Sequence, residues 1–380
     1  MSDKNLVNKV ETFKSGYFPF SLKYDKDKID KLLFEAKILF KTVKDIPILP
    51  DGASQIEEDL IKKSIFGTAA IEGNPLTEES VGKVLSEEVK NRELDLAEKE
   101  ILGLKSVYSE IRKIKPEKDK HIITEDQIRM FHQLITKDCN YKDNYPGHYR
   151  NHNVEVGDKG HGGTYIPPKI LEDIKILMKY LVSWLNGPDV LAEDPAIRAA
   201  LAHYYLGRIH PFGNGNGRTA RAIEAMFLKS SGIKYVPHML SNFYYKNIDE
   251  YFWAFSLSEN NKDYDITPFL EFFGKGLIVS LNEIRSRIFL MVKLLAIRDY
   301  LLYSKKNKVI SQRQYNLLVL LQEFNEKVSL KDLFEKDKFK VIYGKVGERT
   351  ARRDLEVLKK RGFIIQDQDG VYEFNFEMLT

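Results

Sequence analysis

Residues 210–221 read His210, Pro211, Phe212, Gly213, Asn214, Gly215, Asn216, Gly217, Arg218, Thr219, Ala220 and Arg221. Three alternating glycines free the backbone for left-handed and close-approach conformations that a side chain would forbid. Successive N–H groups of such a loop can converge into an anion nest. A helix that follows adds the partial positive charge of its N-terminus. Arg218 and Arg221, three residues apart, share a helix face and can both reach a polyphosphate. A histidine stands at the loop entrance, where a base is needed to take the proton of an incoming hydroxyl. The chemistry open to this set is attack of a hydroxyl on a phosphate. A glycine-rich loop between helices is usually structural, and a glycine pattern alone is weak evidence. The coincidence of base, nest and two guanidiniums sets this run apart. No Gly-Lys-Ser/Thr follows, as a Walker loop needs, and no strand pattern precedes it, as a Rossmann turn needs.

The elements that must position this loop are mostly helical. Ile29, Leu32, Leu33, Ala36 and Leu39 recur at helical spacing over 25–44. Further helices are predicted over 56–73, over 78–90 after Thr77, over 94–114 up to Pro116, and from Thr124 to 136. The stretch 143–168 is rich in Gly and Pro and carries a Val154-Glu155-Val156 alternation, which predicts a short hairpin or flap. Helices resume over 169–186 and again at Asp194-Pro195, a good cap followed by a good first residue. That one runs to about 207, the next over 217–230, and others over 247–257 and 267–303. The tail predicts helices over 311–324, from Ser329 as a capping box, and over 348–361. A hairpin with a type I′ turn at Asp369-Gly370 follows, and three helices then a hairpin is the order of a winged helix.

Composition narrows the class. The chain has 380 residues, 43% hydrophobic and 30% charged, with a net charge of +4, so no strong field announces a nucleic-acid or membrane partner. One cysteine, Cys139, excludes an intrachain disulfide framework and fits a reducing compartment. With no apolar signal core and no run long enough to span a bilayer, a cytoplasmic location is expected and a membrane is not. His132, His148, His152, His161, His203 and His238 have no zinc-ligand spacing.

Residues 210–221 resemble the Fic family signature: His-Pro-Phe, one free residue, Asp or Glu, Gly-Asn-Gly-Arg, two residues, Arg. The likeness extends to about 60–275. Gly147-His148-Tyr149-Arg150 with Tyr165-Ile166-Pro167-Pro168 is similar to the family's flap, and 194–203 to the helix before the signature. The resemblance implies a protein adenylyltransferase that moves AMP from ATP to a Tyr, Thr or Ser hydroxyl of a target protein, and to itself. It implies His210 as the general base, with Gly215, Asn216, Gly217, Arg218, Thr219, Ala220 and Arg221 around the phosphates. Val154, Glu155 and Val156 would dock the target by strand addition. The family's Asp or Glu that helps bind Mg²⁺ is Asn214 here, a neutral and weaker ligand for a hard cation, so ATP and Mg²⁺ are the expected cofactors with the ion held mainly through the phosphates and water. Thr68, Glu72 and Gly73 fit the family's inhibitory pattern, Ser or Thr, three residues, Glu, then Gly or Asn. They imply that Glu72 pairs with Arg221 and keeps the γ-phosphate from binding productively. In some relatives this glutamate serves AMP removal, so a reverse activity is open. Tyr251 is the choice among several aromatics for a wall of the adenine site, against the commoner role of such residues in a core.

The expected fold is therefore mainly α: a Fic-type helical core with a short β-hairpin flap, plus a C-terminal winged-helix domain. Expected boundaries are 1–100 for an N-terminal helical region with the inhibitory helix, 101–280 for the core, 281–307 for a connecting helix and 308–380 for the winged helix-turn-helix. Over 336–361 ten Lys/Arg face four Asp/Glu, which concentrates positive charge in the tail. Arg349, Arg352 and Arg353 could there meet DNA, or the module could be an intramolecular or dimer scaffold. The alternative to the enzyme is a DNA-binding regulator whose degenerate core senses nucleotide, and a third reading changes the donor to phosphocholine or phosphate. A homodimer is compatible with either.

Overall fold

The computed structural model describes residues 6–86, 93–116 and 121–379. It divides into two compact units, residues 1–288 and 289–380.

The first unit opens with a hairpin, β1 (Val7–Glu11) and β2 (Tyr17–Ser21), in register from Val7 opposite Ser21 to Glu11 opposite Tyr17. Helices α1 (Lys26–Asp45), α2 (Pro50–Ile71), α3 (Glu78–Leu85), α4 (Leu96–Lys113) and α5 (Glu125–Thr136) follow. A second hairpin pairs β3 (Val156–Asp158) with β4 (Gly163–Tyr165). Then come α6 (Leu171–Leu185), α7 (Pro188–Ala192), α8 (Pro195–Ile209), α9 (Asn216–Ser230), α10 (Leu240–Lys246), α11 (Ile248–Glu259) and α12 (Thr267–Lys306), whose residues from Phe289 on are counted in the second unit.

Caps fix where the main helices start. Asp95 with Glu98 and Thr124 with Gln127 form reciprocal capping boxes on α4 and α5. Asp194 caps α8 ahead of Pro195. Helices α8 and α9 form the central pair, buried on nearly every side, with α2, α4 and α5 against α9 and α6 against α8. Their junction is the 210–215 loop, so the loop is held between two immobilised helices. Helix α2 lies along α10 at Gly67, where an added Cβ would come 2.8 Å from the Ser241 carbonyl oxygen.

Several expectations are corrected. Helix α2 starts at Pro50, not 56, because the proline serves as a first residue. Helix α3 ends at Leu85, and the remainder of the expected 78–90 lies outside the described residues from 87 on. Helices α7 and α10 and the first hairpin were not expected. The hairpin is tied down by Asp173 of α6, whose carboxylate accepts from the Phe13, Lys14 and Ser15 N–H groups and the Ser15 hydroxyl.

In the second unit α13 (Gln312–Phe324) is followed by two short helices, α14 (Asp332–Glu335) and α15 (Asp337–Tyr343), where one helix was expected. The Ser329–Asp332 capping pair is formed. Helix α16 (Glu348–Lys360) and the hairpin β5 (Ile364–Gln366), β6 (Tyr372–Phe374) complete it around Leu317, Leu321, Leu355 and Leu358. The turn is not type I′: of Asp369 and Gly370 only Gly370 has positive φ. Asp367 instead organises a longer loop, its side chain accepting from the Asp369 and Val371 N–H groups.

Candidate active site

His210 ends α8 in the left-handed conformation, φ 48°, and Gly215 precedes α9 at φ 77°. Between them the chain turns so that the first turn of α9 and the His210 ring face one cavity of about 500 Å³. The Asn216 side chain braces this turn, accepting from the Phe212 N–H at 2.9 Å and donating to the Phe212 carbonyl at 2.8 Å. Its amide thus serves the loop itself.

His210, Gly217, Arg221 and Glu72 line one end of the cavity. Tyr251, Phe252, Phe255 and Glu259 of α11 line another part, and Val156, Gly157 and Gly162 to Tyr165 of the flap cover it. Gly215, Asn216, Arg218, Thr219 and Ala220 are not on its wall. Burial pushes the His210 imidazole down to about 4, against its Nδ1 contact with the Gly207 carbonyl at 3.3 Å. The ring is therefore neutral at pH 7. With Nδ1 protonated toward Gly207, Nε2 keeps a free lone pair, which is what a base needs.

Arg221 is 1% exposed and fully engaged. Its Nε donates to Thr68 Oγ1 at 2.6 Å, and Nη2 to the Thr68 carbonyl at 3.1 Å and Glu72 Oε1 at 2.7 Å. Glu72 caps the C-terminus of α2, and Gly73 at φ 83° closes the helix behind it. Burial alone would raise the Glu72 carboxyl, but Arg221 and Arg218 outweigh it and hold it below the usual carboxylate range. A Cβ added at Gly217 would lie 2.3 Å from Glu72 Oε1 and 3.0 Å from Arg221 Nη1. The carboxylate thus sits against the first turn of α9.

Behind Arg221 runs a polar chain that the sequence analysis missed. Arg221 Nη1 lies 3.4 Å from the Tyr251 hydroxyl, which is 2.8 Å from His203 Nε2. His203 Nδ1 is 2.6 Å from Glu224 Oε2, and Tyr244 donates to the same oxygen at 2.8 Å. Burial pushes the Tyr251 hydroxyl up to about 12, so it stays protonated. Glu224, one helical step beyond Arg221 at i+3, was the available signal.

Arg218 looks away from the cavity. Its Nη1 donates to Tyr141 at 2.7 Å and lies 3.1 Å from Glu100 Oε1, while Nη2 donates to Asn214 Oδ1 at 2.5 Å. This bears on a divalent cation at 214. The one side-chain oxygen there is neutral and already bound to a guanidinium, and no group of three or more His, Cys, Asp or Glu is arranged to hold a metal ion among the described residues. The residues present do not fit a protein-held Mg²⁺.

At the flap, Val156 begins β3 opposite Tyr165, while Val154 and Glu155 precede the strand. The strand expected at Val154-Glu155-Val156 is corrected accordingly to start at Val156. Arg150 locks the flap's base to the loop: Nε donates to the His210 carbonyl at 2.7 Å and Nη2 to the Pro168 carbonyl at 2.8 Å. His161 holds the tip, with Nδ1 2.9 Å from Asp158 and Nε2 3.0 Å from Asp249 of α11.

A family model described as Fic/DOC matches residues 122–228, which contain the whole signature loop. The chain carries a Fic/DOC family domain. Outside the domain the likeness continues: the chain is 30% identical over 219 residues to the protein adenylyltransferase Fic of Aedes aegypti, covering 57% of this chain and 40% of that protein. It is 31% identical over 170 residues to the protein adenylyltransferase fic-1 of Caenorhabditis briggsae, 44% and 32% of the two chains. The chain thus spans well under half the length of these relatives. Among solved structures, a Fic family protein from Desulfovibrio desulfuricans aligns over 91% of this chain and 95% of that one, TM-score 0.57 at 18% identity. Fic-1 of C. elegans aligns over 70% and 74%, TM-score 0.55 at 22% identity. The Fic domain here is thus part of a mainly helical fold of the kind these structures have. No helix among the described residues is long and apolar enough to cross a membrane.

Proposed function

We propose that this chain is a restrained protein adenylyltransferase. It transfers AMP from ATP to the hydroxyl of a Tyr, Thr or Ser in a target protein, and to itself. The observation that carries the reading is the Glu72 carboxylate lodged between Gly217 and Arg221, an anion in an anion site. Its departure leaves a buried guanidinium, backbone N–H groups and a helix N-terminus facing the cavity, a set that suits a triphosphate. The neutral His210 then takes the proton of the attacking hydroxyl. The hydroxyl oxygen bonds to the α-phosphorus, the bond from that phosphorus to the β-phosphate bridge breaks, and pyrophosphate leaves. The two-stranded flap has a free edge along which a target segment can add. The names of the curated relatives support this reaction class. The experiment is to incubate wild type and Glu72→Gly with ATP labelled on the α- or the γ-phosphate. Protein-bound label from the α- but not the γ-labelled nucleotide is expected, strongest in the variant. Label from the γ-phosphate would replace the reading with a kinase, and none from either would favour a nucleotide sensor.

A second partner is favoured by one observation in the C-terminal unit. Lys305, Lys308, Arg313, Arg353 and Arg361 line a cavity of about 600 Å³, and its one acid, Asp354, is engaged by Arg313 and Gln314. With exposed Arg349 and Arg352 on α16, this suits the backbone of duplex DNA, as a winged helix would use it. Binding to a labelled duplex that weakens steeply with salt is the expected result; salt-independent binding or none counts against it.

A further inference from the structure

His132 of α5 takes no part in the scheme above, yet it touches three pieces of the phosphate loop. The ring is fully buried and stacks on Phe212, centroids 3.7 Å apart and planes within 3°. Nδ1 accepts the Gly147 N–H at 2.9 Å. A backbone N–H can only donate, so Nδ1 is unprotonated and the neutral ring carries its proton on Nε2. Nε2 lies 2.9 Å from the Asn214 carbonyl oxygen and donates to it. One helical turn on, Thr136 donates to the His132 carbonyl. Together the two side chains form a floor under Gly215: a Cβ there would lie 2.9 Å from Thr136 Cγ2 and 3.6 Å from His132 Cδ2.

The consequence for the loop follows from peptide geometry. In a planar trans peptide the C=O and the following N–H point in opposite directions. Holding the Asn214 carbonyl down on His132 turns the Gly215 N–H away from α5. That N–H immediately precedes the first turn of α9, whose Gly217 is on the cavity wall, and Thr219 N–H returns to the Gly215 carbonyl. The Asn214 N–H is fixed separately by Asn144 Oδ1 at 3.0 Å, so both peptides flanking residue 214 are held. The same imidazole also holds Gly147, three residues before Arg150, the side chain that locks the flap to His210.

We propose that His132 is a positioning residue for phosphate binding: it sets the orientation of the 214–215 peptide and so aims the anion nest. This rests on the assignment of the loop as a nucleotide phosphate site. It differs from a core role in being specific to phosphate. His132→Phe keeps the ring and its stack but leaves the Asn214 carbonyl and the Gly147 N–H unpaired, and His132→Gln restores a donor for the carbonyl.

The experiment uses the full chain with Glu72→Gly as background, so that the cradle is open. It measures binding of ATP, inorganic tripolyphosphate and adenosine by calorimetry, with thermal melting to confirm folding. His132→Phe is expected to weaken ATP and tripolyphosphate about tenfold or more and leave adenosine unchanged, with His132→Gln recovering part of the loss. Unchanged tripolyphosphate affinity overturns the proposal. So does an equal loss for adenosine, which would mark a packing role. Should His132→Phe fail to fold, the comparison of His132→Gln with the background decides in the same way. If the background binds neither phosphate ligand, the proposal fails together with the assignment it rests on. If it binds both and transfers no AMP, only the assignment of activity fails, and the binding comparison still decides.

Discussion

Glu72→Gly isolates the restraint. Residue 72 is the C-cap of α2 with φ −88° and ψ 9°, and Gly73 already closes the helix, so a glycine there costs the helix little. What is lost is one carboxylate, 2.7 Å from the Nη2 of an arginine that is 1% exposed. Breaking a buried pair costs about 3–5 kcal/mol. The Glu72 side chain keeps 27% exposure, which screens the pair and lowers its worth to about 2–3 kcal/mol. Since 1.4 kcal/mol is a factor of ten, removing the competing anion should raise ATP affinity or self-labelling about 30- to 140-fold. The assay is the initial rate of protein-bound label from α-labelled ATP, with ATP affinity measured separately. Melting should fall in the absence of ligand, because Arg221 loses its counter-charge, and recover on adding ATP. A change within twofold in both rate and affinity would refute the idea that Glu72 occupies the phosphate position.

Three other outcomes are expected. With the His210 imidazole pushed down to about 4, kcat/KM should stay flat from neutral pH and fall only as pH approaches about 4, where the base becomes protonated; a limb near 6.5 in the Glu72→Gly pH profile would contradict this. Gly67→Ala should push α2 off α10, since the new Cβ meets backbone at 2.8–2.9 Å, lowering stability by about 1–3 kcal/mol and raising basal labelling; calorimetry and the labelling assay together check it. Asp173→Ala removes the acceptor of the Phe13 and Lys14 N–H groups and one of the two acceptors of the Ser15 N–H, and should cost about 1–3 kcal/mol in denaturant unfolding without changing labelling per folded molecule.

The helices that carry the site were legible because their caps and apolar periods are local. Asp194-Pro195 and Thr124 with Gln127 mark starts that the structure has to within a residue or two. His210 and Arg221 were also legible as residues to look at together, and both line one cavity. Arg218 was harder. Its i, i+3 spacing with Arg221 suggests a shared face, but Tyr141, Glu100 and Asn214 draw it to the other side of the loop, and those partners are distant in sequence. The same reason hid Asp173 and His203, whose partners lie on other elements. The first hairpin was missed because Pro19 interrupts a short aromatic strand that only tertiary packing of Phe18 and Phe20 on Tyr205 makes worthwhile. Asn214 kept its significance, though its oxygen now faces a guanidinium.

In the proposed reaction one cavity holds a nucleoside triphosphate once Glu72 is removed, and His210 activates the hydroxyl that attacks it. The most direct test pairs Glu72→Gly with Glu72→Gly/His210→Ala, following AMP addition by intact mass and ATP affinity by calorimetry. The single variant is expected to gain AMP, and the double variant to gain none while binding ATP as tightly. AMP addition at the same rate in both variants would contradict it.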